Sequence, residues 1–331
     1  MKIVVRAPSW IGDSVLALPS IASLKKNFPE SQIWIAAKDW VKGLFTCSNL
    51  VEGVISLPAS NNFRGLRQTA KKIKDFHFDI GLLLPNSFSS AILFYLAKIP
   101  QRWGYQSDGR GFLLTRGVVP QENTLHQVYY YLNLIAGLGL ETHPPQINLT
   151  LNPDVTSRAK EFLQAMDIDF QKPLILFNPG AAYGPSKRWP AEKFAQLALL
   201  FQQRIGANIL VIGSEEENEV GDEISAALKQ KPINLAGKTD LALLAAITSL
   251  ASLFVCNDTG PMHIANALRT PVVALFGPTL PAQTAPFQQP AVIVHKKAPC
   301  WPCHYRECPF DHRCMIKIEP EEVYRASQKF L

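Results

Sequence analysis

The sequence predicts an α/β fold made of two doubly wound domains, each a parallel sheet with helices on both faces. Apolar strand-like segments alternate with helix-like segments along the chain, which is typical of βαβ units. The pattern restarts between about residues 148 and 172, where turn residues precede a second βα series of similar size. We therefore expect an N-terminal domain over residues 1–155 and a C-terminal domain over residues 156–331.

The composition is that of a globular protein. Of the 331 residues, 47% are hydrophobic and 18% are charged, which excludes a disordered chain, and the length favours two cores over one. The 33 basic and 27 acidic residues give a net charge of +6 without a dense basic stripe, so nucleic acid is not an expected partner. Neither a signal peptide nor an apolar run long enough to cross a bilayer is evident, which predicts a cytoplasmic protein.

The elements of the first half follow from hydrophobic periodicity. DIGLLLP, for example, is a nearly continuous apolar run, typical of a strand that is covered on both faces. The predicted order is strand KIVVRAP, helix GDSVLALPSIASLKKNF, strands QIWIAAK and VEGVISLP, a helix over 64–76, strand DIGLLLP, and helices over 87–97 and 126–138.

The second half repeats this alternation after the turn-rich segment INLTLNPD. A helix comes first, and the later strands are separated from one another by helical stretches. For the final helix, packing back on the N-terminal domain is left open. The predicted strands are PLILFNPG, ANILVIGS, SLFVCND and PVVALFGP.

The first candidate site is PSWIGD, between the first strand and the first helix. Gly12 permits a tight turn or a close approach to a ligand. Asp13 has two interpretations: it caps the helix, stabilised by free amides and the helix dipole, or it accepts a proton from a substrate hydroxyl. The pattern G-x-G-x-x-G is absent here, so a dinucleotide cofactor is not expected.

The second candidate site is NPGAAYGPSKRWP, residues 178–190, between a predicted strand and a helix that Pro190 would begin. Its glycines and Lys187 are suited to binding a phosphate, although the spacing is not that of a P-loop. The alternative is a solvated loop with two ordinary surface cations.

Two further strand ends carry polar residues. In NDTGPMH, residues 257–263, Thr259 and Gly260 would present backbone amides at a helix N-terminus, and Asp258 would accept hydrogen bonds from a sugar or ribose. His263 is either a ligand of this site or a packed or capping residue. In GSEEE, residues 213–217, one carboxylate is suited to ribose hydroxyls, whereas most of the run is expected to be solvated.

Four segments together, PSWIGD, PNSFSSA (residues 85–91), NPGAAYGPSKRWP and NDTGPMHIANAL, resemble the ADP-heptose:lipopolysaccharide heptosyltransferases, and within them the heptosyltransferase II type. They occur in the family's order over nearly the whole chain. The resemblance implies a GT-B architecture, in which two Rossmann-like domains face each other across a cleft. It also implies that ADP-heptose is the donor, and that heptose passes with inversion to the heptosyl-Kdo2-lipid A core of lipopolysaccharide.

The resemblance also assigns roles to residues of this chain. The family's catalytic aspartate falls on Asp13, and its phosphate-binding lysine on Lys187. Its ribose-binding glutamate falls on Glu217 by spacing from Gly213, although Glu215 and Glu216 compete for that role. The donor-binding set is Gly180, Ser186, Lys187, Glu217, Asp258, Thr259, Gly260 and His263.

The acceptor is expected on the N-terminal domain. Its arginines would meet core phosphates and carboxylates, but as single charges they have the alternative of being solvated. The expected contacts are Ser9, Trp10, Gly12, Asn86, Ser87, Arg64, Arg67 and Arg102, with Arg110 as a further basic candidate. We expect no catalytic metal, because cations and helix amides would stabilise the departing ADP. We also expect the protein to be a monomer and to contact the inner face of the inner membrane peripherally.

A cysteine cluster near the C-terminus has the ligand types of a structural zinc site but not the spacing of a standard finger. The alternative is a set of reduced thiols that pack a loop. The four residues are Cys300, Cys303, Cys308 and Cys314.

Other functions remain open at this point. Heptosyltransferase I, or another transferase of the same family, would use the same motifs. A sugar-nucleotide epimerase shares the two-domain architecture but needs no acceptor, and a non-catalytic nucleotide-sugar binding module would not need Asp13.

Overall fold

The structure is a computed structural model that describes residues 1–47, 51–58, 63–121, 126–226, 228 and 231–331. It divides into two compact units, Met1–Thr150 and Leu151–Leu331. The boundary expected from the sequence, after residue 155, falls within a helix that belongs to the second unit, Pro153–Gln164.

The N-terminal unit alternates strands and helices as βαβ units require. Within its described residues the strands are β1 to β6, in chain order Lys2–Arg6, Gln32–Lys38, Gly53–Leu57, Ile80–Leu83, Gln101–Tyr105 and Arg116–Val118. The helices α1 to α6 are Ile11–Leu16, Leu18–Asn27, Asp39–Thr46, Phe63–Lys74, Phe88–Leu96 and Gln127–Gly137. A short 3-10 helix spans Gly111–Leu113.

The C-terminal unit repeats this organisation. In the part that the structure describes, strands β7 to β12 are Leu174–Asn178, Asn208–Val211, Ile233–Asn234, Leu253–Asn257, Val272–Phe276 and Ala291–His295. Helices α7 to α14 are Pro153–Gln164, Ala191–Ile205, Asn218–Ala226, Leu241–Ser249, Gly260–Ala267, Pro281–Thr284, Arg313–Ile316 and Pro320–Ser327. Two 3-10 helices span Pro185–Lys187 and Glu215–Glu217.

Each unit contains one parallel sheet, and the two sheets have the same strand order. The first is β3-β2-β1-β4-β5-β6, and the second is β12-β11-β10-β7-β8-β9, which is the same order in the opposite direction. Every strand pair described is parallel. The order reverses between β1 and β4 and between β7 and β10, and ligands bind beyond the carboxyl ends of strands at such switch points. The predicted doubly wound α/β class is confirmed.

Apolar runs explain why the central strands lie inside. All residues of β4, β7, β10 and β11 are buried, as expected for strands with helices on both faces. In the C-terminal unit, one core cluster packs Phe177, Phe194 and Phe201 under helix α8, and a second packs Phe254 and Phe276 on the other face of the sheet. These cores hold the strand ends rigidly, so that the loops beyond them have fixed positions.

Several elements differ from the sequence-based prediction. The single helix expected after β1 is two helices, α1 and α2, which meet at Ala17, just before Pro19. Strands β5, β6, β9 and β12 were not predicted, because β6 and β9 are very short and all four lie towards the sheet edges, where hydrophobic patterning is weak.

The last helix, α14, uses its apolar face within the C-terminal unit. Val323 and Tyr324 are buried in the core cluster of that unit, and the Tyr324 ring packs on Phe201 at 5.2 Å. Helix α14 thus contributes to the C-terminal core, and the sequence-based option of packing on the N-terminal domain stays a prediction. None of the helices in the described part of the chain is both long and apolar enough to cross a membrane.

Candidate active site

The loop after β1 is a fixed turn that leads directly into α1. The buried Ser14 hydroxyl donates to the Pro8 carbonyl at 3.0 Å, and the Trp40 indole N–H donates to the Ser9 carbonyl at 2.7 Å. Trp10 is the N-cap residue of α1, and its ring is 57% exposed. Exposed tryptophans offer a flat surface to a sugar ring. The sequence-predicted residues Ser9, Trp10 and Gly12 therefore lie together at the ligand edge of the first sheet.

Asp13 lies in the first turn of α1, half-buried. The helix dipole favours a carboxylate at this position, but burial disfavours the charge and raises the pKa of Asp13 from 3.8 to about 6. Its negative charge also raises the pKa of the buried Tyr131 on α6, after the larger effect of burial, so the two groups lie near each other. A carboxylate with a raised pKa is a stronger base than a solvated one and is still ionised near neutral pH.

The loop after β4 carries Asn86 and Ser87, both exposed at the same sheet edge. The Asn86 amide donates to the Tyr130 hydroxyl at 2.6 Å, and Ser87 is the N-cap residue of α5 without a side-chain cap. Beneath the loop lies Arg110, which is fully buried. Its guanidinium donates to the carbonyls of Tyr105, Pro85 and Ser87 and to the Ser90 hydroxyl. The fully buried Arg110 therefore holds the loop after β4 in place, which corrects its expected role as a direct acceptor contact.

The remaining arginines expected to bind acceptor lie on two different elements, β5 and α4. The Arg102 guanidinium donates to the Leu113 carbonyl at 2.7 Å and to the Ile99 carbonyl at 2.5 Å, so it ties together the connections around β5. Arg64 and Arg67 lie on the exposed face of α4. The structure thus places Arg102 in a structural role and the other two on a basic helix face.

In the C-terminal unit, Lys187 and Asp258 come together at the switch point of the second sheet. The Lys187 ammonium lies 2.5 Å from the Asp258 carboxylate, and the Thr279 hydroxyl donates to the same carboxylate at 2.7 Å. Both charged side chains are largely buried. An ammonium carries three donors, so this pairing orients Lys187 and leaves donors for an anion. Asp258 was expected to accept from a sugar or ribose hydroxyl; in the structure its carboxylate accepts from Lys187.

A buried asparagine beside this pair was missed from the sequence. The Asn257 amide donates to the Pro179 carbonyl at 2.6 Å and accepts from the backbone N–H of Trp189 at 3.1 Å. It therefore fixes both ends of the loop that carries Lys187. The available signal was its position at the end of β10, next to Asp258 in the same motif.

Helix α11 begins where β10 ends. Thr259 is its N-cap residue in an extended conformation, and its side chain makes no cap hydrogen bond. The first-turn amides of Gly260, Met262 and His263 are those that an α-helix leaves without intrahelical partners, and together with the dipole they attract an anion. His263 is buried in this first turn. The motif NDTGPMH thus forms a helix N-terminus close to Lys187, which pairs with Asp258 just before the N-cap. Its role as an anion site stays a prediction.

Glu217 lies against the glycine loop of the second site. A Cβ atom on Gly180 would be 1.9 Å from the Glu217 carboxylate, so only glycine permits this approach. The Glu217 carboxylate also accepts from the Ser214 backbone N–H at 2.9 Å, which completes a capping box. Glu215 and Glu216 are exposed, whereas Glu217 is half-buried. Of the three acids, Glu217 is the one placed beside Gly180.

The cysteine-rich loop, residues 300–314, packs on the loop of residues 178–190 that carries Lys187. The Ser186 hydroxyl donates to the Tyr305 carbonyl, the Tyr183 hydroxyl donates to the His304 carbonyl at 2.6 Å, and the His312 ring donates to the Ser186 carbonyl at 2.7 Å. A Cβ atom on Gly184 would lie 2.4 Å from the Arg306 carbonyl oxygen. Residues 304–312 therefore brace the loop that presents Lys187. Ser186 serves this brace through both its hydroxyl and its carbonyl.

The chain matches a known family of enzymes over most of its length. The sequence model described as glycosyltransferase family 9 (heptosyltransferase) matches residues 66–313. The chain belongs to that family. The enzyme is therefore a glycosyltransferase, and its GT-B-type fold is the one found in heptosyltransferase structures.

Full-length relatives extend this result. A lipooligosaccharide heptosyltransferase 2 from Haemophilus ducreyi is 33% identical over 89% of this chain and 88% of that protein. One from Campylobacter jejuni is 31% identical over 100% of this chain and 98% of its own length. The structure of E. coli ADP-heptose lps heptosyltransferase II matches with a TM-score of 0.88 and 28% identity, over 100% of this chain and 98% of that one.

More distant matches bear on the alternatives. A lipopolysaccharide heptosyltransferase 3 from E. coli is 25% identical over 97% of this chain, which is lower than for the heptosyltransferase 2 proteins. The structure of a UDP-GlcNAc 2-epimerase from Methanocaldococcus jannaschii matches this chain at 12% identity with a TM-score of 0.57. At this identity the two proteins share a fold, and nothing follows about a shared function.

The four clustered cysteines line one cavity of about 200 Å³ in this family 9 enzyme. Cys314 is buried, and burial, followed by the neighbouring Cys308, Cys303 and Cys300 thiols, raises its pKa to about 11. Among the described residues, no group of three or more His, Cys, Asp or Glu side chains is arranged to hold a metal ion. These side chains are therefore not arranged as a metal site in the structure, and zinc binding by the cysteines stays a prediction for elemental analysis.

Proposed function

We propose that this enzyme transfers L-glycero-D-manno-heptose from ADP-heptose to the heptosyl-Kdo2-lipid A inner core of lipopolysaccharide, as a heptosyltransferase of type II. The full-length similarity to heptosyltransferase 2 proteins supports this donor and acceptor. The observation that carries the mechanism is the Asp13 carboxyl, half-buried at the ligand edge of the N-terminal sheet with its pKa raised to about 6.

On the acceptor side, Asp13 acts as the general base. It takes the proton from a heptose hydroxyl while that oxygen forms a bond to the anomeric carbon of the donor. A base works best when its pKa lies near the working pH, and such positioned proton transfer contributes about 10²–10⁴-fold to the rate. Ser9, Trp10, Gly12, Asn86 and Ser87 border the acceptor at the same sheet edge.

On the donor side, the bond from the anomeric carbon to the ADP oxygen breaks as the new bond forms, which inverts the configuration. Negative charge then develops on the departing diphosphate. Lys187, held by Asp258, and the first-turn amides of α11 stabilise that charge, so the step does not call for a catalytic metal. Glu217, beside Gly180, accepts from the ribose hydroxyls. The brace formed by the cysteine-rich loop keeps this seat rigid before the donor arrives.

We propose peripheral contact with the cytoplasmic face of the inner membrane through helix α4. One face of α4 packs Ala70 and Ile73 into the core, and its other face exposes cations that are suited to anionic lipid headgroups. The exposed cations are Arg64, Arg67, Lys71, Lys72 and Lys74. All proposed substrate contacts lie on one chain, so a monomer is the expected active species. Sedimentation with anionic and neutral vesicles, together with light scattering, would test both statements.

The test of the transfer is incubation with ADP-heptose and a truncated heptosyl-Kdo2 acceptor, followed by mass spectrometry. We expect the acceptor to gain the mass of one heptose and ADP to be released. Transfer to Kdo2 acceptor without heptose would indicate heptosyltransferase I instead. A gain from another nucleotide sugar would overturn the donor, and conversion of the donor without any acceptor would favour an epimerase.

A further inference from the structure

A cavity of about 260 Å³ opens in the N-terminal unit at the carboxyl ends of its strands. Arg6, Lys38 and Leu57, the last residues of β1, β2 and β3, form one part of its wall. Serines at the start of α5 and Thr69 of α4 form another part. The cavity therefore combines two cations with several hydroxyl groups at the edge of the sheet where this fold binds ligands.

Both cations are almost completely buried: Arg6 is 6% exposed and Lys38 is 5% exposed. Burial lowers the pKa of Arg6 to about 10. It also lowers the pKa of Lys38, with the positive charge of Arg6 as the second cause and the opposing effect of Asp39 as the smallest. Two like charges thus share a poorly solvated space. The Lys38 ammonium donates to the Pro58 carbonyl, and an anion between the two cations would stabilise both charges.

The partners of Arg6 do not supply that anion. Its guanidinium donates to the Ala7 carbonyl and to the Ser9 hydroxyl, the latter at 3.2 Å, and both acceptors are neutral. Arg6 forms no ion pair with any carboxylate in the described part of the chain. A buried guanidinium without a counter-charge, beside a cavity, is suited to a planar or tetrahedral oxyanion, which it binds through paired N–H donors.

We propose that this cavity binds an anionic group of the acceptor, either a phosphate monoester or a sugar carboxylate, and thereby positions the acceptor hydroxyl for Asp13. The inference rests on the proposed function. Ser9, which accepts from Arg6, lies two residues before the helix that carries Asp13, so an anion at Arg6 lies one short loop away from the base. The donor diphosphate is assigned to the C-terminal unit. This cavity thus gives the acceptor its own anion site.

The kinetic test compares Arg6→Gln, Lys38→Met and the double variant with the wild type. We expect the acceptor KM to rise at least tenfold in each single variant and further in the double variant, whereas the KM for ADP-heptose stays unchanged. Lys26→Gln, which removes an exposed cation of α2 in the same unit, serves as the matched control and should change neither constant.

The source of the anionic group is found by changing the acceptor. Wild-type enzyme is assayed with acceptor lacking heptose phosphate and with acceptor whose Kdo carboxylates are reduced to alcohols. The acceptor that lacks the recognised group should already have a raised KM, which Arg6→Gln does not raise further. If Arg6→Gln raises the KM of all these acceptors equally, or changes the donor KM instead, the proposal is overturned.

A second measurement is independent of turnover and separates this inference from the proposed function. In saturating ADP, which occupies the donor site, inorganic phosphate should raise the melting temperature of the wild type but not that of Arg6→Gln. Without phosphate, Arg6→Gln should melt at or above the wild-type temperature, because a buried charge has been removed. Equal phosphate shifts in both proteins would overturn the cavity assignment. Shifts that differ, with no transfer to any acceptor, would leave the anion site standing while the proposed function fails.

Discussion

The two units share a strand order, yet their ligand edges are prepared differently. In the C-terminal unit, the Lys187 ammonium already contacts the Asp258 carboxylate, and the Thr279 and Thr284 hydroxyls donate to that carboxylate. In the N-terminal unit, Asp13 and Arg6 are desolvated and form no ion pair among the residues that the structure describes. One fold thus supports an ion pair at the edge of one sheet and poorly solvated charges at the edge of the other.

The physical reason lies in what each edge is proposed to bind. A leaving diphosphate needs fixed donors that do not reorganise as charge develops, and pairing with Asp258 keeps Lys187 in one position. A general base needs a high proton affinity instead, which desolvation of Asp13 supplies.

The largest effect is expected for Asp13→Asn. Because the amide does not accept the proton of the acceptor hydroxyl, kcat should fall about 10²–10⁴-fold, with little change in either KM. Steady-state kinetics measure this directly. Asp154→Asn, which alters an exposed acid in the first turn of α7, is the matched control and should retain full turnover. Full turnover in Asp13→Asn would remove the base from the mechanism.

A somewhat smaller loss is expected for Lys187→Met. Removing one donor to a charge that develops in the transition state costs about 10²–10³-fold in kcat. Lys193→Met serves as the control, because Lys193 also pairs with an acid, Glu319, but lies away from the predicted donor motifs. A rise in donor KM with unchanged kcat would show that Lys187 only binds the ground state.

The pH profile should report the desolvated carboxyl. Asp13 must be ionised to accept a proton, and its pKa is raised to about 6, so activity is lost as the pH falls through this value. We expect kcat/KM to decline about tenfold per pH unit below pH 6 and to be level above it until another group titrates. The residual activity of Asp13→Asn should lack this acidic limb. A limb centred near pH 4 would indicate a solvated carboxyl.

The brace of the donor loop is tested by Gly184→Ala. The added Cβ would lie 2.4 Å from the Arg306 carbonyl oxygen, so the loop must move, and a misplaced Lys187 should lower kcat/KM for the donor about tenfold. Gly206→Ala is the control, because Gly206 has a positive φ but open space around its Cβ position. It should cost stability without affecting the donor. Equal kinetic effects of the two changes would argue against a brace.

The smallest effect on catalysis is expected for Arg102→Ala. Its guanidinium holds backbone carbonyls around β5, so the free energy of unfolding should fall by about 1–3 kcal/mol while the acceptor KM stays the same. Denaturant unfolding and acceptor kinetics together decide this. Arg64→Ala, at an exposed position, should change stability by less than about 0.5 kcal/mol. A raised acceptor KM in Arg102→Ala would restore its expected role.

Much of the site was predictable because it follows strand ends. Asp13, Lys187 and Asp258 each come shortly after an apolar strand, in motifs rich in glycine and proline, so both topology and family resemblance place them at the sheet edges. Their assigned roles in binding and catalysis stay predictions. The roles of single arginines were not predictable in this way. Arg102 and Arg110 donate to backbone carbonyls of loops, and no local sequence pattern indicates those contacts.

Arg6 and Lys38 show why the rest was not predictable. Each ends an ordinary apolar strand, KIVVRAP and QIWIAAK, where a final cation usually points to water. Their burial comes from the pairing of β1 with β2, which brings the two strand ends side by side, and from serines that lie some fifty or more residues further on. No window of the sequence contains that information.

By itself, the sequence determined the alternation of strands and helices, the two parallel sheets, and the polar motifs at their carboxyl ends, because periodicity and turn chemistry are local properties. Only the tertiary structure decided which charges are buried and which are paired. Lys187 and Asp258 are 71 residues apart and meet only when β7 and β10 lie side by side. Burial and pairing depend on such distant contacts, and they set the pKa of Asp13 and the surroundings of Arg6.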